Sequence, residues 1–174
     1  MSGSELGSSA YVVLGLAMQH DEITPYDLKQ RIATSVGYFW PYSHPQIYQV
    51  TKKLQQLGLL KCREETSGRR KKLYSVTAAG KSAFKQWMLE AADSHTELRD
   101  LAILKLYFGA FTGKESLVAL ARTQQAAHIE RRRVYEQIPK DRTVNEYAEM
   151  TLDLGIEFEK LAAKFWLGVE KKLQ

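Results

Sequence analysis

The sequence predicts a mainly α-helical chain with one small β-hairpin, divided into two parts near residue 92. Apolar residues recur at helical spacing along most of the 174 residues, whereas strand-like alternation is confined to two short runs around a turn that contains glycine. The excess of positive charge lies entirely in the first part. Residues 1–90 carry 12 Lys and Arg against 7 Asp and Glu, while residues 91–174 carry 13 of each. A localised excess of this kind indicates a module that meets a polyanion, joined to a neutral module.

The first two predicted helices precede residue 38. Residues 9–19 are mostly apolar and are predicted to form a buried helix. Thr24 caps the second helix, and Pro25 fits its first position because the missing N–H is not needed there. The apolar stripe of this helix consists of Tyr26, Leu28, Ile32, Ala33 and Val36. The Phe39-Trp40-Pro41 corner that follows is interpreted as an anchor of the next helix to the core, with ligand contact as the alternative.

The third helix, which begins after Ser43, has sequence signals for both of its ends. Ser43 and Gln46 have the spacing of a capping box, and Gly58 can adopt the left-handed conformation that ends a helix. These signals predict a helix of about 15 residues. Its predicted buried stripe consists of Ile47, Val50, Leu54 and Leu57.

The opposite face of this helix contains amides, hydroxyls and cations but no acidic residue. An ordinary solvated helix mixes both signs of charge, because Glu and Lys stabilise each other at a spacing of four residues. Amides and hydroxyls can read base edges while lysines hold phosphates, so the composition favours a helix in the major groove of DNA. An ordinary polar surface helix is the alternative. The residues predicted to contact DNA are His44, Gln46, Tyr48, Gln49, Thr51, Lys52 and Lys53.

A predicted hairpin follows this helix at once, with strands at residues 60–64 and 72–76 and a turn at Gly68. Four consecutive cations occupy residues 69–72, and they would repel one another unless an anion lay beneath them. A polar helix followed by a cationic hairpin is the arrangement of a winged helix-turn-helix domain, with the wing on the DNA backbone or in the minor groove. The wing residues predicted to contact DNA are Arg69, Arg70 and Lys71.

A domain boundary is predicted within the stretch DSHTEL at residues 93–98. Residues 1–92 then form the winged-helix DNA-binding domain, and residues 93–174 form a helical dimerisation domain. Just before the boundary, Thr77 is expected to cap a helix whose inner side carries Phe84, Trp87 and Met88.

The second domain is predicted to consist of three helices. They span residues 98–111, the segment from a capping box at 112–115 to residue 138, and the segment from a capping box at 143–146 to residue 173. The last helix would be about 45 Å long and carries more apolar surface than a two-helix hairpin can bury. We therefore expect it to join two copies of the chain, with an intrachain core as the alternative. The predicted dimer interface consists of Met150, Leu154, Phe158, Leu161 and Phe165, and the same stripe is expected to be widened by Ile156, Ala163, Trp166 and Leu167.

The chain also resembles the PadR-like family of bacterial transcriptional regulators over residues 11–108. The most specific segments are FWP-x-S-x-x-Q-I-Y at residues 39–48 and the wing signature G-R-x-x-K-x-Y-x-x-T-x-x-G at residues 68–80. The segment GYFW, with SH after it, is similar to the branch that includes virulence-gene activators and adds a long helical dimerisation domain. The resemblance implies a winged-helix dimer on a two-fold operator, with Tyr48 at a phosphate or sugar.

The sequence predicts a regulator rather than an enzyme, because it contains no catalytic or metal-binding constellation. Its four histidines are scattered, its single cysteine has no pair, and no glycine-rich phosphate loop follows a strand. Cys62 lies on the same strand face as Leu60 and is interpreted as a small core residue, with a redox sensor as the alternative. We expect no cofactor, and a small-molecule effector is left open.

The expected partners are double-stranded DNA and a second copy of the chain. No apolar run approaches the roughly 20 residues of a membrane span, and the N-terminus lacks the features of a secretion signal, so we expect a cytoplasmic location. Two other functions remain open: a winged-helix module that binds another protein, and a MarR-like regulator. The basic wing favours DNA over protein as the partner, and the short segment before the first helix disfavours the MarR-like fold.

Overall fold

The computed structural model describes residues 6–40, 43–66, 70–92, 99–139 and 142–174, without the side chains of residues 44 and 142–145. The chain divides into two compact units, Met1–Ser94 and His95–Gln174, and the predicted boundary stretch at residues 93–98 lies outside the described residues. The first unit contains α1 (Ser8–Ala17), α2 (Pro25–Ala33), α3 (His44–Gln56), β1 (Leu60–Glu64), β2 (Lys72–Val76) and α4 (Ala78–Leu89). The second unit contains α5 (Leu101–Tyr107), α6 (Lys114–Glu136) and α7 (Arg142–Leu173).

The core of the first unit lies between α1, α2, α3 and the hairpin. Leu14, Leu28 and Leu54 are fully buried and come from the three helices, while Leu60 and Tyr74 close the core from the two strands. Burial of such side chains contributes about 1.5–3 kcal/mol each. This core holds α3 by one side and leaves its other side open.

The predicted cap of α2 is confirmed, and it is reinforced by a residue that the sequence analysis did not use. The Thr24 hydroxyl accepts a hydrogen bond from the Asp27 N–H at 3.1 Å, and the Asp27 carboxylate accepts one from the Thr24 N–H at 3.2 Å. The Thr24 hydroxyl also bonds to this carboxylate, which lowers the pKa of Asp27. The predicted stripe is correct at Leu28 and Ile32 but wrong at Tyr26 and Ala33, which are exposed.

The cap predicted at the start of α3 is not formed, whereas its predicted end at Gly58 is correct. Ser43 is the N-cap residue, but its side chain makes no capping hydrogen bond, so the predicted capping box is wrong. Pro45 explains this in part, because it removes one of the two N–H groups from which a cap oxygen usually accepts. Gly58 has φ +71° and ends the helix as predicted. Leu57 is 45% exposed and is not part of the buried stripe, because the helix ends one residue before it.

The hairpin has the predicted strands. β1 and β2 are antiparallel, with Leu60 opposite Val76 and Cys62 opposite Tyr74. Cys62 is half-buried and packs against the core, in agreement with its interpretation as a small core residue. Burial, and then contact with the Cys62 thiol, raises the pKa of Tyr74 to about 12.

The helix after the hairpin begins as predicted. The Thr77 hydroxyl accepts a hydrogen bond from the Gly80 N–H at 3.1 Å and donates to the Gly58 carbonyl at 2.8 Å, which links α4 to the end of α3. Trp87 stacks on Tyr11 of α1 with ring centroids 4.5 Å apart. Met88, which is predicted to face inward, is exposed, so the inner side of α4 contains Phe84 and Trp87 but not Met88.

In the second unit, α6 and α7 form an antiparallel helical hairpin. Arg122 pairs with Glu170, and His128 pairs with Glu159. The residue with the higher number on α6 therefore pairs with the residue with the lower number on α7, as in two antiparallel helices. α5 is shorter than predicted and is capped by Asp100, whose carboxylate accepts from the Ala102 N–H at 2.7 Å.

The capping box predicted at the start of α6 is not found. α6 has Gly113 rather than Thr112 as its N-cap residue. α7 begins at Arg142, and the side chains of residues 143–145, on which the second predicted box falls, lie outside the described residues.

Candidate nucleic-acid interface

The exposed side of α3 carries most of the predicted DNA contacts. Ile47 and Leu54 are buried against the core, and the side chains on the opposite side of the helix are open to solvent. Gln46, Gln49, Lys53 and Gln56 recur at steps of three and four, so they lie along one line of the helix. The exposed predicted contacts are Gln46, Tyr48, Gln49, Lys52 and Lys53. The side chain of His44 lies outside the described residues.

Thr51 does not belong to this surface, and its prediction as a DNA contact is wrong. Its side chain is only 1% exposed, and its hydroxyl donates a hydrogen bond to the Ile47 carbonyl at 2.7 Å. Thr51 lies four residues after Ile47 and three before Leu54, which places it on the core side of the helix. The hydroxyl is satisfied within α3, so the residue can be buried without leaving an unpaired polar group.

The described part of the wing exposes two of its predicted cations. Arg70 is exposed and has φ 46°, a left-handed conformation that is uncommon for a residue other than glycine. Lys71 is exposed, and its carbonyl accepts a hydrogen bond from the Glu65 N–H at 3.0 Å, which extends the pairing of the two strands. Arg69, like Gly68 at the predicted turn, lies outside the described residues.

The loop before α2 ties down the base of the wing, which the sequence analysis did not foresee. Ile23 and Tyr74 exchange two backbone hydrogen bonds of 2.9 Å, so residue 23 forms an isolated antiparallel bridge to β2. Beside this bridge, Arg63 of β1 donates to both carboxylate oxygens of Glu22, at 3.0 and 2.6 Å. The hydrogen bond from Arg63 lowers the pKa of the Glu22 carboxyl. Arg63 is therefore held in place by an acidic partner.

The long helix α7 has two opposite faces. Ile156 and Trp166 are buried against the rest of the second unit, so their predicted place in the exposed stripe is wrong. The other face is centred roughly 160° from these two residues at about 100° per residue and remains open. It contains the whole predicted dimer interface, with side chains between 45% and 72% exposed: Met150, Leu154, Phe158, Leu161 and Phe165.

A buried polar pair lies on the inner side of this hairpin. The Glu159 carboxylate lies 2.5 Å from His128 Nδ1, and its other oxygen lies 3.6 Å from the Arg131 guanidinium. Glu159 and His128 are both buried. Two titratable groups that satisfy each other away from water fix the position of α7 on α6, because a shift of either helix would leave a charge or a polar atom unpaired.

The described parts of the chain contain no candidate metal site and no candidate membrane span. No group of three or more His, Cys, Asp or Glu side chains there could hold a metal ion. No helix among these residues is both long enough and apolar enough to cross a bilayer.

Comparison with protein families gives a match for each part of the chain. Residues 13–86 match the model described as the transcriptional regulator PadR-like family. Residues 98–174 match the model described as virulence activator alpha C-term. Both matches agree with the resemblance stated from the sequence, including its branch with a helical C-terminal domain, and not with the MarR-like alternative.

This chain is also similar to individual proteins, in sequence and in structure. The chain is 32% identical over 100 residues to the negative transcriptional regulator PadR of Bacillus subtilis, which covers 56% of this chain. The match spans about half the length of that relative, 54%. The crystal structure of B. subtilis PadR in complex with operator DNA has a TM-score of 0.83 at 24% identity, with 95% of this chain and 98% of that chain covered. The structure of the Vibrio cholerae virulence activator AphA has a TM-score of 0.67 at 26% identity, with the same coverage. These likenesses confirm the predicted fold class, and the names describe regulators rather than enzymes.

Proposed function

We propose that the chain is a sequence-specific DNA-binding regulator of the PadR-like type that acts as a homodimer. In this proposal α3 lies in the major groove of a two-fold operator, and the wing lies on the backbone or in the minor groove. The partners are double-stranded DNA and a second copy of the chain, the place of action is the cytoplasm, and no resident cofactor takes part.

The observation that carries the proposal is the open face of α3. Amides and cations line it, and no carboxylate occurs anywhere in the helix. Gln46 and Gln49 lie in the first half of α3, where side chains reach base edges in helix-turn-helix proteins. Lys52 and Lys53 lie beyond them and suit phosphates, because a lysine supplies a point charge without a fixed hydrogen-bonding geometry. α3 thus carries base-reading amides in its first half and phosphate-binding lysines beyond them, as a helix in the major groove requires.

The homodimer is supported by the outer face of α7. A contiguous row of large apolar side chains on a soluble helix indicates an association surface. A second copy is the partner that this surface fits best, because two identical heads match the symmetry of a two-fold site. The buried pair beneath the face keeps α7 in one position on α6, so the apolar row is presented in one way only.

The test is a binding titration at several salt concentrations. A cognate duplex is first selected from a random-sequence pool by repeated binding to the wild-type chain. A dimer that neutralises about 6 to 10 phosphates should show a slope of about −5 to −9 in a plot of log K against log salt. Lys52→Ala should reduce that slope by about 2, one contact in each protomer, whereas Lys85→Ala on the exposed side of α4 should leave it unchanged.

Base reading is tested in the same titration. Gln49→Ala should cost roughly 1–3 kcal/mol per contact on the selected duplex and little on scrambled DNA. Equal losses on both duplexes would reduce Gln49 to a backbone contact. Failure to select any duplex, or binding that does not respond to salt, would instead favour the winged-helix module that binds another protein.

A further inference from the structure

The turn between α2 and α3 exposes two large rings that the sequence analysis assigned to the core. Phe39 is 60% exposed and Trp40 is 45% exposed, so they do not anchor α3 to the core as predicted. Pro41, the third member of the predicted corner, lies outside the described residues. The other described tryptophans are different: Trp87 stacks on Tyr11, and Trp166 is 1% exposed.

The backbone of this turn is fixed by its own hydrogen bonds. The N–H groups of Phe39 and Trp40 both donate to the Val36 carbonyl, at 3.2 and 2.7 Å. Gly37 is required here, because a Cβ at this position would lie 2.4 Å from the Ile32 carbonyl oxygen. The close approach of residue 37 to α2 turns the chain sharply, and the two rings follow directly after it. Their exposure is therefore built into the local structure.

The turn lies beside the part of α3 that we propose to enter the groove. Trp40 precedes the N-cap residue Ser43 by three positions, and three residues span at most about 10 Å. The major groove is about 12 Å wide, so Trp40 lies within one groove width of the start of α3.

The charge around the turn selects the kind of partner. Between Asp27 and Glu64 the chain contains six cations and no acidic residue. Arg63 is paired with Glu22, and if this surface met the same surface of a second copy, the other five cations of each chain would add up to ten like charges. A polyanion is attracted by the same arrangement. Exposed rings surrounded by cations are also the combination that proteins use to contact nucleotides, since rings pack on bases and sugars while cations hold phosphates.

We propose that Phe39 and Trp40 form an aromatic DNA contact that flanks the segment read by α3. The rings lie against deoxyribose and base edges at the border of the major groove and extend the protein footprint beyond the recognition helix. This inference rests on the proposed function, because it assigns a further contact to the same DNA-binding surface.

Acrylamide quenching of tryptophan fluorescence tests the contact in the unmodified protein. Trp40 is the described tryptophan most accessible to a neutral quencher, so the selected duplex should reduce the quenching constant. Trp40→Phe keeps an aromatic ring, and this variant should bind the duplex with nearly wild-type affinity while losing the protected signal. Unchanged quenching at saturating duplex would overturn the contact while leaving the proposed function in place. Absence of any duplex binding by the wild type would overturn both.

An affinity measurement provides the second arm. Phe39→Ser combined with Trp40→Ser should weaken binding by roughly tenfold for each ring that packs on a nucleotide. The matched control is Leu57→Ser, which removes a side chain that is also 45% exposed but lies at the far end of α3. Equal affinity for the double variant and the control would contradict the proposal. Protection of Trp40 that rises with protein concentration in the absence of DNA would assign the turn to a contact between copies and would equally overturn it.

Discussion

Truncation of Leu161 tests whether the outer face of α7 joins two protomers. A fully buried leucine contributes about 1.5–3 kcal/mol, and Leu161 is 67% exposed in one protomer, so its burial by a partner is worth about 1–2 kcal/mol. A two-fold interface contains the residue twice, and Leu161→Ala should therefore cost about 2–4 kcal/mol per dimer. Since about 1.4 kcal/mol is a tenfold change, the dimer dissociation constant should rise about 30- to 1000-fold. Leu161→Glu should prevent dimerisation altogether, because it would bury two unpaired charges.

Sedimentation equilibrium over a wide range of concentrations measures the dissociation constant directly. The matched control is Lys160→Ala, one residue away in sequence but about 100° around the helix and off the apolar row. The helical content of Leu161→Ala should match that of the wild type, because the substituted side chain is mostly exposed within the protomer. Binding to the selected duplex should fall with the loss of dimer, although every residue of α3 is intact.

Two results would refute this reasoning. A Leu161→Glu variant that still sediments as a dimer would show that the partner packs elsewhere. A Leu161→Ala variant that loses helical content without a change in its dissociation constant would show that the face serves the fold of a single protomer.

Three further predictions follow from contacts within the units. Glu22→Gln should weaken duplex binding although it removes an acidic group, because Arg63 loses the partner that ties the wing to the loop before α2. In a duplex titration, the double variant Glu22→Arg with Arg63→Glu, which reverses the pair, should recover the affinity. Tighter binding by Glu22→Gln alone would contradict this role of the Glu22–Arg63 pair. Thr51→Val should leave the preference for the selected over the scrambled duplex unchanged. In a denaturant titration it should alter the free energy of unfolding by less than about 1 kcal/mol, because the hydroxyl bonds only within its own helix. A changed preference between the duplexes would restore Thr51 as a base contact. Glu159→Ala should lower the free energy of unfolding by about 3–5 kcal/mol, whereas replacing both His128 and Glu159 by leucine should recover much of that loss. Denaturant titrations of both variants measure the two free energies of unfolding. Equal losses in the two variants would show that packing alone is involved.

The features predicted correctly from the sequence are those set by neighbouring residues. The hairpin strands, the end of α3 at Gly58 and the caps by Thr24 and Thr77 depend on spacings of a few positions. The open face of α3 was also predicted, because the helical period alone separates Gln46 and Gln49 from the buried side.

The errors come from residue types whose surroundings the pattern does not contain. Thr51 is polar and was placed outside, but a hydroxyl can bond to the carbonyl four residues earlier and then be buried. Trp40 is aromatic and was placed inside, but the sharp turn at Gly37 directs the chain away from the core. In both cases the polarity of the side chain was a poorer guide than the path of the backbone.

Other features depend on contacts between distant residues. Glu22 and Arg63 are 41 positions apart, and His128 and Glu159 are 31 positions apart, so no local spacing could connect them. The double row of apolar residues on α7 was read as one wide stripe for the same reason. Only the position of α6 shows that Ile156 and Trp166 belong to one face and Leu161 to the other.

The separation of these two faces has a consequence for how such regulators diverge. Substitutions on the outer side of α7 can change which chains recognise one another without disturbing the helical hairpin, because the residues that hold the hairpin together point the other way. After a gene duplication, two copies could acquire incompatible outer rows while each keeps its inner pair of His128 and Glu159. Sister regulators in one cell could then avoid mixed dimers, and each would bring two matching heads to its own operator.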